Sequence, residues 1–534
     1  VVVGLLLAVL ALAARFVDLG GHPLWLDEVH TYDDSTELLP RLLSWDLTGT
    51  THSPLPYVEV KVLRSVLGSS ETVIRLPAAA YGSMAVVLFY LAVGRSLRWR
   101  VAAMASALLA VHPYALEWAR EARMYSHWLF HAVLLTLVAH TAMTRARCST
   151  PGGAGRWLDW PWWLLGLLAG VAHASAVQSI STILALLAGL TVLGLVELFH
   201  DRRAAGRMLS GVAAAAMVYI TSWAVAGFAM LMTKRGSGQK QQPDLAAMAM
   251  DTLTEVGGFV TREWLLVLLA MAGVGLALLA WRGPWRACWL WLLVGLSPWA
   301  MMPSIAARHF FAGRYVMPSI LLLCLCLGSL LAWLWLEGAG PRRRRAGQAL
   351  GLAALLALAL AWAPAWRGVY LEPKFDFPAA IAPVQQHAAD GDLLLLLPDH
   401  LRLFEKFYPF KQGTQAAVKV LLPPPAVRTV PYGPDDADLA SKGFDAAFER
   451  LYTPQALATR TLPPRLWVLV NGPGSAAGAV RLESLRPLLH AYGVSDDQLA
   501  ALRGQAAAAR TLTFRVSSAG LDHITLTTGR TLGH

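Results

Sequence analysis

The residues best suited to chemistry gather in one stretch behind the first apolar run. Adjacent Asp27 and Glu28 follow Trp25, His30 lies three residues beyond Asp27, and His52 stands later in the same segment. A carboxylate within reach of a hydroxyl can take its proton, and an imidazole one helical turn away can orient that carboxylate. Asp33, Asp34 and Glu37, in the same stretch, read as a solvated acidic surface. Further along, Arg120 and Arg123 are three apart, a spacing that predicts one helical face, and Arg308 and Arg314 stand in ARHFFAGRYVMPS. Arginine is planar and permanently charged, which suits an anionic ligand, whereas snorkelling at a membrane surface is its competing use. Tyr125 and Tyr315 lie beside these arginines and have interfacial anchoring as their alternative.

These residues hang from a chain whose composition demands a membrane. Of 534 residues only 15% are charged and 56% are hydrophobic, at a mean hydropathy of +0.48, against about 25% charged for a soluble protein. A single soluble domain, a disordered chain, collagen and a disulfide scaffold are all excluded. The net charge of +11 does not point to nucleic acid, because the Lys and Arg fall between apolar runs instead of on one solvated face. Cys148, Cys288, Cys324 and Cys326 all precede the polar C-terminal stretch, so disulfides do not hold that stretch together.

A span needs about 20 mostly apolar residues, and windows of that size predict about eleven. They cover 1–16, 73–93, 101–116, 124–143, 162–178, 180–199, 209–232, 263–281, 287–304, 315–337 and 347–364. A cleavable leader is the alternative for the first, on the small residues from Ala11 to Ala14, but no basic stretch precedes it. Arginines concentrate in alternate connections: Arg95, Arg98 and Arg100; Arg145, Arg147 and Arg156; Arg202, Arg203 and Arg207; Arg282 and Arg286; and Arg342 to Arg345. The positive-inside rule makes those connections cytoplasmic. The N-terminus is then inside, the loop 17–72 outside, and the chain sits in the inner (plasma) membrane among lipids. Residues 1–364 form the membrane domain and 365–534 an extracytoplasmic domain. In the latter, DLLLLLPD (392–399), RLWVLVNGP (465–473), RTLTFRVSS (510–518) and HITLTTG (523–529) read as strands. Helical patterns run near 379–389, 435–452, 480–492 and 496–509, so a small α/β domain is expected, without a nucleotide-binding glycine loop. The stretch 233–262, rich in Gly and Gln at its start, reads as a loop or a flap.

Three motifs in this order resemble a known family: Asp27-Glu28-Val29-His30 after the first span, His52-Ser53-Pro54-Leu55-Pro56-Tyr57 in the same loop, and Glu121-Ala122-Arg123-Met124-Tyr125 at a span entrance. Together they look like the polyprenyl-phosphate-sugar-dependent glycosyltransferases of the C-type (GT-C) membrane fold. More narrowly, they are similar to the protein O-mannosyltransferase and lipid A aminoarabinose transferase superfamily. The similarity covers 1–364 and is strongest in 22–125.

The resemblance implies transfer of a sugar, with inversion, from a polyprenyl phosphate to an acceptor hydroxyl of a protein, lipid or glycan in the cell envelope. An attacking alcohol must lose its proton, which makes Asp27 the expected general base. Glu28 orients the acceptor or supports the loop, and His30 orients the base. The departing lipid phosphate needs cations in place beforehand, for which Arg123 and Arg314 are the first choice, with Arg120, Tyr125 and Tyr315 beside them. His52 and His173 stand where relatives place metal ligands, so a divalent metal ion held with Asp27 is one expectation, and ordinary hydrogen bonding of each His the other. His52 stands where the lipid A branch has an acid, which puts that acceptor in doubt. The α/β domain is expected to guide the acceptor. A transporter or flippase of lipid-linked sugars is the rival reading; it requires ionisable residues along a path at mid-membrane, whereas here the acids cluster in an outer loop.

Overall fold

The computed structural model describes residues 2–43, 53–148, 160–224, 245–306, 313–336, 341–389, 392–397, 404, 407–408, 419–421, 465–471, 482–483, 485–507, 509, 511–517 and 520–527. The chain forms two compact units, one of residues 1–20, 34–371 and 533–534, the other of residues 21–33 and 372–532. Up to residue 371 the helices are α1 (Val2–Phe16), α2 (Leu26–Asp34), α3 (Leu39–Leu43), α4 (Leu55–Leu67), α5 (Glu71–Ser96), α6 (Trp99–Val111), α7 (Pro113–Ala119), α8 (Tyr125–Cys148), α9 (Trp160–Ser175), α10 (Ser179–Glu197), α11 (Arg202–Tyr219), α12 (Leu245–Val256), α13 (Arg262–Arg282), α14 (Trp285–Ala306), α15 (Ser319–Leu336) and α16 (Pro341–Leu371). All but α2 belong to the first unit.

Among the described residues, each apolar window of the sequence falls largely on helix. Six of the helices, α5, α8, α10, α11, α13 and α16, are long and apolar enough to cross a membrane, while α1, α6 and α15 are shorter apolar helices. The window 101–116 is corrected: it is two helices, α6 and α7, broken at His112, whose ψ of 120° is extended. Pro113 causes the break. It disfavours the helical region for the residue before it and has no amide hydrogen for the carbonyl of Leu109.

That freed carbonyl is satisfied from another helix. Arg15, fully buried at the end of α1, donates from one guanidinium nitrogen to Leu109 O (3.3 Å) and from another to Ala110 O (3.0 Å). Trp366 Nε1 donates to Val111 O at 2.8 Å. Gly82 in α5 leaves room for the arginine, because a Cβ there would lie 2.9 Å from Arg15 Nε and 2.6 Å from the Ala119 Cβ. The carbonyls at the end of α1 and just beyond it are covered the same way. Arg120 donates to Val17 O (2.6 Å) and Asp18 O (2.9 Å), Tyr370 Oη to Ala14 O (2.5 Å), and Arg75 to Leu19 O (3.0 Å). At the opposite ends of their helices, Glu197 of α10 pairs with Arg147 of α8 (3.1 Å) and Arg286 of α14 (2.9 Å).

The second unit carries a five-stranded sheet in the order β2-β1-β3-β4-β5, with β1 (Leu393–Leu397), β2 (Lys419–Leu421), β3 (Arg465–Asn471), β4 (Thr511–Ser517) and β5 (Gly520–Thr527). β1 lies parallel to both β2 and β3, whereas β3, β4 and β5 pair antiparallel. The unbroken apolar run of β1 suits a central parallel strand covered on both faces. Helices α17 (Phe377–His387), α18 (Arg486–Ala491) and α19 (Asp496–Ala506) accompany the sheet, with Leu488, Leu489, Leu499 and Leu502 packed on Val468, Val470 and Phe514. The four strands and the helices near 379–389, 480–492 and 496–509 are present with shifted ends. β2 was not expected, and the pattern at 435–452 lies outside the described residues.

Removing the donor to the α6 carbonyls tests this account. Arg15→Met is expected to destabilise the protein by about 2–4 kcal/mol, since it strands buried carbonyls and a cavity together. The denaturation midpoint of purified protein in detergent measures it, and an unchanged midpoint would refute the capping role.

Candidate functional site

Asp27, Glu28 and His30 sit on α2. The helix starts behind Trp25, whose backbone N–H donates to Glu28 Oε2 at 3.2 Å. That is the reach of a third helical residue back to the cap. Glu28 is fully buried. Asp27 lies in the first turn, where helix dipoles favour negative charge, and its carbonyl accepts from Thr31 Oγ1 at 3.1 Å. His30 follows one turn later. Within the same unit, Tyr408 Oη accepts from Leu24 N–H (2.7 Å), Lys374 Nζ lies 4.5 Å from the centre of the Trp25 ring, and Tyr32 meets Phe407 edge-on.

The cationic residues lie in the first unit. α7 ends at Ala119, and residues 120–124 form the turn into α8. Arg120 and Arg123 therefore share no helical face, which corrects the sequence expectation. The guanidinium of Arg120 is committed to the end of α1 and lies over the Tyr370 ring at 4.6 Å; burial lowers its pKa. Arg123 is buried, and its N–H reaches Glu121 O at 2.7 Å.

Arg314, in the short turn Gly313–Val316 before α15, brings the other expected residues together. Its guanidinium carbon lies 5.7 Å from the Trp118 ring centre, 5.8 Å from Tyr315 and 5.9 Å from Tyr125. Trp118 and Tyr125 themselves meet at 4.6 Å, near-perpendicular. Three π faces around one cation attract its charge and help hold it in place. Beside it, Tyr114 Oη and Glu255 Oε2 are 3.2 Å apart. Glu255 comes from α12, so the expected loop 233–262 is corrected to helix over 245–256, while 233–244 lies outside the described residues.

His173 holds the segment before α4 to α9 through its carbonyl, which accepts from Ser53 Oγ at 2.6 Å. Its Nδ1 is 2.8 Å from Tyr219 Oη. His52 and Arg308 lie outside the described residues. Among the described residues no group of three His, Cys, Asp or Glu is placed to hold a metal ion.

Sequence reasoning missed Trp118, Tyr114, Glu255 and the set Glu59, Tyr81, His127 and His131. One signal was available: Glu117, Arg120, Glu121 and Arg123 fall within a short stretch between two apolar runs, and all four are buried. Nothing in the spacing marked Glu59 or Glu255.

No protein-family model and no curated protein sequence matches the chain. Solved structures do. ArnT from Cupriavidus metallidurans in the apo state is similar over 90% of this chain and 94% of its own, at 14% identity and a TM-score of 0.51. The Archaeoglobus fulgidus oligosaccharyltransferase tethered with an acceptor peptide is similar over 91% of this chain and 70% of its own, at 13% identity and a TM-score of 0.51. The chain has the GT-C fold. At such identity the likeness concerns the path of the backbone, and the GT-C chain described here brings its own side chains to the sites above.

The turn that carries Arg314 depends on Gly313, where a Cβ would run into the Glu255 carboxylate and lie 3.1 Å from Tyr114 Oη. Gly313→Ala is expected to destabilise by about 1–3 kcal/mol. A thermal midpoint equal to wild type would show that the turn tolerates a side chain there.

Proposed function

We propose that this chain is an inverting glycosyltransferase that moves a sugar from a polyprenyl phosphate to an acceptor hydroxyl in the cell envelope, on the outer face of the inner membrane. The observation that carries the reading is the aromatic enclosure of Arg314 by Trp118, Tyr125 and Tyr315 on a GT-C fold. It holds in place a guanidinium cation of the kind a departing lipid phosphate needs.

In this reading Arg314 and the buried Arg123 take the phosphate, and Tyr125 and Tyr315 line it. Arg120 has its donors on the α1 carbonyls and serves the scaffold. Asp27 accepts the proton of the attacking hydroxyl, His30 orients it, and Glu28 fixes the helix turn that presents it. The bond from the anomeric carbon to the phosphate oxygen breaks as the bond to the acceptor oxygen forms, so configuration inverts and the lipid phosphate leaves as an anion. A divalent ion at His52 and His173 belongs to the same proposal as an accessory charge, and no step is routed through it. The eleven-span topology, with N-terminus inside and the α/β unit outside, places the arginine-rich connections in the cytoplasm.

The test is transfer by purified protein in nanodiscs, offered radiolabelled polyprenyl-phosphate sugars and an envelope extract. Asp27→Asn is expected to lower turnover by about 10²–10⁴-fold while leaving donor binding intact. Arg314→Leu is expected to weaken donor binding instead. Labelled lipid crossing proteoliposome bilayers with no transfer to any acceptor would replace the enzyme with a flippase.

A further inference from the structure

A second polar cluster lies in the first unit, apart from Arg314. Glu59 of α4 accepts from Tyr81 Oη of α5 at 2.9 Å and from His127 Nε2 of α8 at 2.8 Å. Tyr81 lies against the His127 ring at 4.1 Å between centres. His131 donates from Nδ1 to the His127 carbonyl at 2.8 Å. Burial raises the Glu59 carboxyl pKa, but hydrogen bonds from His127 and Tyr81 outweigh it and hold the group below the usual carboxylate range.

An ionised carboxylate only accepts, so the proton of His127 must be on Nε2. In a singly protonated ring Nδ1 is then a hydrogen-bond acceptor. His127 is 1% exposed, and its Nδ1 has no partner among the described residues. A buried acceptor without a donor is costly, so such an orphan in a native protein calls for an explanation, of which a bound group is one. Position narrows the choice. His127 is two residues beyond Tyr125 on α8, so the two side chains leave the helix on different sides, Tyr125 towards Arg314 and His127 towards α4 and α5. α4 follows directly on the His52-Ser53-Pro54 motif of the first outer loop.

We propose that Glu59 and His127 form a hydroxyl-binding dyad, in which Glu59 sets the tautomer and His127 Nδ1 accepts a hydrogen bond from a hydroxyl of the sugar substrate. This assignment rests on the glycosyltransferase reading. The hydroxyl belongs to the donor sugar or to the acceptor, and varying the two concentrations separately tells them apart.

Two substitutions of His127 separate binding from structure. Gln places a donor near the Nε2 position and keeps the Glu59 bond, whereas Asn places an acceptor near the Nδ1 position and abandons that bond. In nanodisc transfer assays His127→Gln is expected to melt like wild type yet raise KM about tenfold, for donor or for acceptor according to which carries the hydroxyl. His127→Asn is expected to melt earlier and to raise KM less than His127→Gln does. Wild-type KM for both substrates in His127→Gln overturns the dyad and leaves the pair as a brace between α4 and α8. Should His127→Gln fail to fold, Glu59→Gln replaces it: its amide donates to Nε2, moves the proton to Nδ1 and should raise the same KM, and a wild-type KM there overturns the proposal. Absence of any transfer by the wild type overturns the glycosyltransferase reading, and this assignment with it.

Discussion

Helix ends beside a lipid phase cannot leave their carbonyls bare, and that constraint organises the first unit. Water is not at hand to satisfy them, so donors must come from the protein. Pro113 sharpens the demand by stripping Leu109 of its helical partner. The answer is long, charged side chains from elsewhere in the fold: Arg15 under the end of α6, and Arg120 with Tyr370 and Arg75 around the end of α1. A buried guanidinium is tolerable only with most of its donors engaged. The same contacts thus satisfy carbonyl and cation together. They also fix where the chain leaves α1 and where α7 turns into α8.

The arginines divide into two kinds because their surroundings differ. Arg15 and Arg120 face carbonyl oxygens that use their hydrogen-bonding capacity. Arg314 lies among rings, which attract its charge. Lysine could not replace it on equal terms, since a compact ammonium lacks the planar fork that stacks on rings and grips phosphate. The first turns of α8 extend this division: one side carries Tyr125 into the arginine enclosure, the other carries His127 to Glu59.

In the second unit the two acids of the motif stand on a short helix whose sequence satisfies its own start. Glu28 closes the N-terminus of α2 through the Trp25 amide, and its neighbour Asp27 occupies the turn where the amide dipoles favour an anion. Two adjacent acids of one motif therefore do separate work. Below them, the sheet is tied at the start of β1 by Asp392, which is fully buried and accepts from Arg465 Nε at 2.7 Å and Trp467 Nε1 at 3.0 Å.

The sequence by itself determined the helices, the mixed α/β character of residues beyond 371 and the general place of the acids and arginines. These are legible because the length of an apolar run, the alternation of a strand and the break at a proline are local properties of consecutive residues. Even the division of 101–116 was written in His112-Pro113, although hydropathy smoothed it over. Only the tertiary structure decided what each charged side chain does. Arg120 and Arg123 look alike in sequence, yet one was drawn to the carbonyls of a helix about a hundred residues earlier in the chain. Glu59 gained its meaning from Tyr81 and His127, and Glu255 from Tyr114, over separations no pattern records. A hydrogen-bonding partner is fixed by which unsatisfied group the packing brings near, and that is a property of the whole fold.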